Sequence, residues 1–289
     1  MLDNALNFFE FFTLEGLIKI IFHTDSFHEI TELMSINLFS PSEQFGGILN
    51  LIQGMYNIVF PAAVMLLFIY FMLTMIEKCS NDTFSWEQLW KLFAALLASK
   101  ILIEHGFEIL QYLFSVGLSV VKSFSALRGP GSQFTLGEEE IQEILDTLNE
   151  NMNWVVKFLR NILIWIGLLI PALVSFLMKL SVFVICYSRI AEIYVRVVLT
   201  PIALSDCFHG GLQSAGWRYL KSFLAVSLQG AMILVIALIY DQLMAVMLGN
   251  YAADRAFWKF FSISMILQAS SVMLMFRSLS LSKEVLGVA

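Results

Sequence analysis

The sequence predicts an all-α, polytopic membrane helical protein, and three observations predict it. Of 289 residues, 58% are hydrophobic and only 14% are charged, against about 45–50% and about 25% in soluble domains. The mean hydropathy is +0.78. The apolar residues also gather into uninterrupted runs, several of them long enough to cross a bilayer, which takes about 20 residues of helix. Phe alone occurs 26 times, more than a soluble core of this length needs, so lipid must cover much of the surface. The expectation is about five transmembrane helices, an N-terminal interfacial helix and an extracytoplasmic amphipathic helix.

Charge and cysteine content narrow the function classes. The 23 acidic and 17 basic residues leave a net charge of −6, which excludes a basic nucleic-acid footprint over the whole chain. Cys79, Cys186 and Cys207 are odd in number and lack metal-like spacing, so they read as small buried hydrophobes. Asp3, Glu10 and Glu15 stand where a secretory signal would carry Lys or Arg, so insertion is expected to be directed by the internal spans.

Each element follows in order. Residues 1–42 form the N-terminal segment, in which 5–22 are apolar but punctuated by Glu10, Glu15 and Lys19, a pattern suited to a helix lying in the interface. Residues 43–121 hold the first two transmembrane helices. The first is the charge-free run between Glu43 and Glu77, with Pro61 as a kink site. Ser85 and Gln88 form a capping box that opens the second, a single helix from Trp86 to about Val121. Its near half carries Lys100, Glu104, His105 and Glu108, so some of these charges sit at membrane depth or at its edge.

Residues 122–160 are the extracytoplasmic acidic segment. RGPGS at 128–132 breaks the chain, and Thr135 with Glu138 forms a capping box. Ile141, Leu145, Leu148, Met152, Val155 and Leu159 then alternate four and three apart, a heptad seam of fewer than three repeats. Residues 161–289 carry the C-terminal transmembrane helices around a cytoplasmic loop at 201–221. At Lys179 either one long helix passes through or two spans meet. The absence of turn residues there favours one helix. The last two spans are expected at Ser222–Tyr240 and Phe260–Phe276, the latter slightly short for a bilayer.

Orientation follows from Lys and Arg near the span ends. Five spans with the N-terminus outside put Lys78, Lys91, Arg189, Arg196, Arg218, Lys221, Arg277 and Lys283 inside. A six-span alternative leaves only Lys78, Lys91, Lys179, Arg255 and Lys259 there. Five spans, with the N-terminus outside and the C-terminus in the cytoplasm of a cell-membrane protein, fit the rule better.

Two charged stripes need an explanation, because an ionised group at bilayer depth must face protein or water. Lys100, Glu104 and Glu108 are four apart on one helix face. They are either a candidate conduit or subunit-contact face, or a structural Lys–Glu pair completed by another helix of the chain. Arg189, Glu192 and Arg196, with Arg218 beyond the loop, are either interfacial arginines reaching toward headgroups or a cytoplasmic docking surface. Gln229–Gly230–Ala231 allows close helix approach and one interhelical hydrogen bond. Enzyme chemistry finds no foothold: His23 and His28 are five apart rather than four, and GxSxG and CxxC are absent. No catalytic residue, metal site or cofactor is expected.

The order of features resembles the TrbL-type family, the polytopic inner-membrane subunit of type IV secretion and conjugation machines, in the small version found in Gram-positive mobile elements. The resemblance rests on residues 189–236, where the Arg/Glu-bearing helix runs into Pro201–Ile202–Ala203, a Gly/Ser loop, and Trp217–Arg218–Tyr219 before an apolar helix. It implies a channel or scaffold subunit working as a homo-oligomer with other secretion subunits and cytoplasmic ATPases. Single-stranded DNA would pass with weak contact at most, since 138–150 is acidic. The alternatives are a small-solute transporter, for which paired broken helices in repeated halves would be expected, and a scaffold of another envelope assembly.

Overall fold

In the computed structural model, residues 17–18, 25–41, 45–80, 85–127, 154–210, 214–254 and 257–287 are described. Among them every regular element is helical: α1 (Asp25–Ser35), α2 (Gly46–Ser80), α3 (Trp86–Glu104), α4 (Gly106–Leu127), α5 (Trp154–Ser205), α6 (Cys207–Gly210), α7 (Ala215–Asp254) and α8 (Phe257–Val285). Five helical segments are long and apolar enough to cross a membrane, namely Gly46–Ser80, Gly106–Leu127, Ile166–Ser205, Ala215–Met247 and Phe261–Val285. The seam positions from Ile141 to Met152, the capping box and most of the 5–22 helix lie outside the described residues, whereas Val155 and Leu159 fall within α5.

Several boundaries differ from the sequence expectation, each for a local reason. The single helix expected from Trp86 to Val121 is two helices. It breaks at His105, whose backbone leaves helical geometry at φ −94° and ψ 9°. The Tyr56 hydroxyl donates to the Ile103 carbonyl at 2.9 Å. A side chain at Gly106 would press on that same hydroxyl, 2.8 Å from an ideal Cβ. The helix is thus interrupted where a phenol takes up a carbonyl of the last turn.

Asp241, the first residue past the expected span Ser222–Tyr240, lies buried within α7, which continues to Asp254. The last span is not short, because α8 runs on through Arg277 to Val285. At Lys179 the helix is continuous, in agreement with the single-helix reading. Ser85 caps α3 by accepting the Gln88 N–H at 3.3 Å, but Gln88 Oε1 has no partner, so the reciprocal half of the box is not made.

The chain divides into two compact units. The first comprises Met1–Leu33, Phe124–Cys186 and Ile233–Arg277, and the second Met34–Ser123, Tyr187–Met232 and Ser278–Ala289. In the second unit the core is largely aliphatic, with aromatic pairs set into it. Phe39 packs on Phe107 and Phe114 with ring centres 5.8 and 5.3 Å apart, and Phe71 packs on Phe93 and Phe208 at 5.4 and 6.0 Å. Within the first unit, Ser175 donates to Gln268 Oε1 at 2.8 Å.

Small and polar residues make the closest helix contacts, as expected where lipid removes the hydrophobic drive between helices. The inward face of α8 is a heptad seam of Ser264, Gln268, Ser271, Met275, Ser278 and Ser282, all buried. Ser264, Ser271 and Ser282 return their hydroxyl protons to carbonyls of their own helix at 2.8–2.9 Å. At Gly117 on α4 the Ser227 backbone of α7 comes so near that an ideal Cβ would lie 2.7 Å from its carbonyl oxygen. Gly117→Ala is therefore expected to destabilise by about 1–3 kcal/mol in thermal unfolding in detergent. Gly54→Ala, with nothing within 4 Å of the new methyl, should be neutral or stabilising.

Candidate functional site

The structure parts the Arg189–Glu192–Arg196 stripe into two environments. Arg189 is 3% exposed. Its Nε donates to the Val226 carbonyl at 3.1 Å, Nη2 to the Ser227 carbonyl at 3.0 Å, and Nη1 to the Met34 sulfur at 2.9 Å. A carbonyl oxygen has two lone pairs, so those of α7 can accept the guanidinium while keeping their helical bonds. Room for the planar group comes from Gly230, where an ideal Cβ would stand 2.6 Å from the Arg189 Cζ. The sequence singled out Gly230 for close helix approach, but the group that approaches is a guanidinium.

Glu192 and Arg196 stay near the surface and are joined to each other. Arg196 donates from Nε and Nη2 to Glu192 Oε1 at 2.9 and 2.6 Å, and from Nη1 to the Ser222 hydroxyl at 2.9 Å. The Arg196 carbonyl accepts from Thr200 Oγ1 at 2.7 Å and from the Tyr219 hydroxyl at 2.6 Å. This network ties α5 to the first turns of α7. Arg218 is exposed on those turns. The start of α7 is capped by Asp206, which accepts the Ala215 N–H at 2.8 Å, and by Ser214, whose Oγ accepts the Trp217 N–H at 3.2 Å. Asp206 supplies negative charge at the positive end of the helix dipole.

The second stripe is broken by the His105 turn. Lys100 and Glu104 pair at 3.4 Å, with side chains 54% and 42% exposed. Glu108 bonds His105 at 3.1 Å, with 58% and 65% exposed for His105 and Glu108. Both pairs are local, and among the described residues no other helix completes them. Asp241, which the sequence reading used only as a boundary, joins Arg189 as a buried charged residue. No His/Cys/Asp/Glu group capable of holding a metal occurs among the described residues.

The arrangement is one of long helices crossing through polar contacts, with charge exposed on one broken helix. A family model described as TrbL/VirB6 plasmid conjugal transfer like protein matches residues 37–201. The chain belongs to that family. Of the stretch 189–236 that carries the sequence resemblance, the match includes only 189–201. No curated protein and no solved structure matches the chain. As a member of the TrbL/VirB6 family it is a multi-pass membrane subunit of conjugal transfer and type IV secretion machinery, working in a complex with other subunits. The family is structural and is not known for enzymatic activity.

Two outcomes are expected. Arg189→Met and Gly230→Ala act on one contact, so each should lower stability, by roughly 1.5–3 kcal/mol for the lost charge-assisted hydrogen bonds. The double variant should cost less than the sum of the two in a thermal-unfolding cycle. Cys207 is half-buried between Ser214 and Gly216, and burial, then the Asp206 charge, pushes its thiol above the ordinary 9.0 while the Ser214 hydrogen bond opposes them. A raised value means less thiolate at a given pH. Maleimide labelling of Cys207 should therefore be slow at about pH 8 and quicken as pH rises. Asp206→Asn should speed it at fixed pH.

Proposed function

We propose that this TrbL/VirB6 family member is a channel or scaffold subunit that assembles as a homo-oligomer, with the face around Lys100, Glu104 and Glu108 turned to a neighbouring copy or to the conduit. The observation that carries the reading is the exposure of the Lys100–Glu104 ion pair and the His105–Glu108 hydrogen bond on either side of the helix break. Charge at membrane depth has to meet protein or water, and broken helices in membranes occur where they border such surroundings. The family assignment favours this role over solute transport. Cytoplasmic ATPases would supply the energy, since the chain carries no GxxxxGK[ST] phosphate loop. Single-stranded DNA in transit would meet the acidic 122–160 segment weakly.

In this reading the N-terminus is outside and the C-terminus cytoplasmic, which places the Glu192–Arg196 edge and Arg218 on the cytoplasmic side. With Arg189 buried, the docking surface reduces to those three residues. Arg218→Glu should leave membrane insertion unchanged and lower conjugal transfer by about tenfold, the effect of roughly 1.4 kcal/mol of docking energy. Single cysteines at 100, 104 and 108 should form copy-to-copy disulfides, or crosslink to DNA, during active transfer. Crosslinks of neither kind would remove both the subunit-contact and the conduit role from this face.

A further inference from the structure

Helix α3 exposes an apolar stripe on the side away from its buried residues. Trp86, Trp90, Phe93, Leu97 and Ile101 are 77%, 70%, 42%, 59% and 55% exposed. Their spacing of four, three, four and four puts them on one helix face. Leu92, Ser99 and Ile103 are buried on roughly the opposite face. By composition α3 is not among the candidate spans, because it carries Glu87, Lys91, Lys100 and Glu104.

Its depth is fixed by α2. Phe71 of α2 meets Phe93, and Tyr56 of α2 bonds the Ile103 carbonyl. The order is reversed on the two helices, so α3 runs antiparallel beside residues 56–71 of α2. Helix α2 is itself a membrane span with no charge before Glu77. The four charged residues of α3 are joined within their own helix as Glu87–Lys91 and Lys100–Glu104, which leaves 92–99 free of charge between them.

The character of the stripe identifies what covers it. Helix–helix contacts in membranes favour small residues, and those of this chain use Gly117, Ser227 and Ser278. The stripe is made only of large side chains. Helix α2 likewise turns large side chains outward, with Met65, Phe68, Ile69 and Met72 48–69% exposed. Two tryptophans at one end, beside a Glu–Lys pair, match the headgroup level of a bilayer.

We propose that α3 lies in the bilayer beside α2, its Trp86–Ile101 stripe seated on lipid acyl chains with Trp86 and Trp90 at the headgroup level. The second crossing then begins at the start of α3, and the break at His105 ends a lipid-clad arm. Lys100 and Glu104 continue this helix face, each three residues beyond a stripe residue (Leu97 and Ile101), so the inference rests on the proposed function at that end: acyl chains cover the stripe up to this level, and the subunit or conduit contact begins there.

The test uses the full chain in liposomes, with the native cysteines replaced by alanine and one nitroxide placed at Leu97→Cys or Ile101→Cys. Collision with dissolved oxygen should exceed collision with a water-soluble nickel chelate several-fold at both sites, as at Met72→Cys on α2. Leu92→Cys should show little of either. Preferential collision with nickel would overturn the proposal by placing the stripe in water. Protection from both reagents would overturn it by showing that protein covers the stripe. In the chain with its native cysteines, brominated lipid should quench tryptophan emission, and Trp86→Phe with Trp90→Phe should remove part of that quenching. An unchanged quenched fraction would also contradict the proposal.

Discussion

The contact on which the second unit depends is a guanidinium laid on a helix backbone. Arg189 donates to two successive carbonyls of α7 in a space that Gly230 leaves open. Bare Arg at the centre of a membrane helix costs about 2.5–3.5 kcal/mol even on insertion scales. That cost is offset when the donors meet carbonyl oxygens already ordered by a helix. The same short stretch of α7 receives α4 at Ser227 through Gly117, and α8 through Gln229, whose Nε2 donates to Ser278 at 3.2 Å. Residues 226–230 of α7 are therefore where three other helices meet, through polar or side-chain-free contacts in every case. Of the candidate spans α7 is also the most buried, at 61% against 22–28% for the others.

Such an interior is suited to a subunit that must hold shape while most of its surface faces lipid or other subunits. In membranes, shape and hydrogen bonds rather than hydrophobic exclusion select helix partners. The serine seam of α8 shows the same economy: its hydroxyls bond carbonyls of their own helix and leave a narrow face for close packing. The charges left outside, around the break after α3, are those that the proposed assembly would cover. The family assignment gives that surface a setting, a conjugal transfer machine built from several subunits.

The sequence carried the class of fold well because solvent choice is written in composition. Five spans, an unbroken helix through Lys179 and the Gln229–Gly230 contact were all legible from run length, missing turn residues and small side chains. What it hid were features decided by a partner distant in the chain. The break at His105 lies two residues beyond Ile103, whose carbonyl accepts from Tyr56, 47 residues earlier in the chain. Without it, the run of charges at 100–108 reads as one continuous face. Arg189 reads from sequence as an interfacial or docking arginine because spacing tells which residues share a face and not which way that face turns. Asp241 was mistaken for a span end since a charge in an apolar run has the same appearance at a boundary and in a buried position. The α8 seam leaves no trace in the apolar periodicity, because its heptad is built mainly of serine.

The most direct measurement of this account is the environment of the Arg189 side chain in a lipid bilayer. Solid-state NMR on protein labelled with 15N at arginine and 13C at the carbonyls of valine and serine reads it without altering the molecule. The account predicts dipolar contact between the Arg189 guanidinium and the Val226 and Ser227 carbonyls, with guanidinium protons protected from exchange with water. Rapid exchange, or contact with lipid phosphorus in place of those carbonyls, would contradict it.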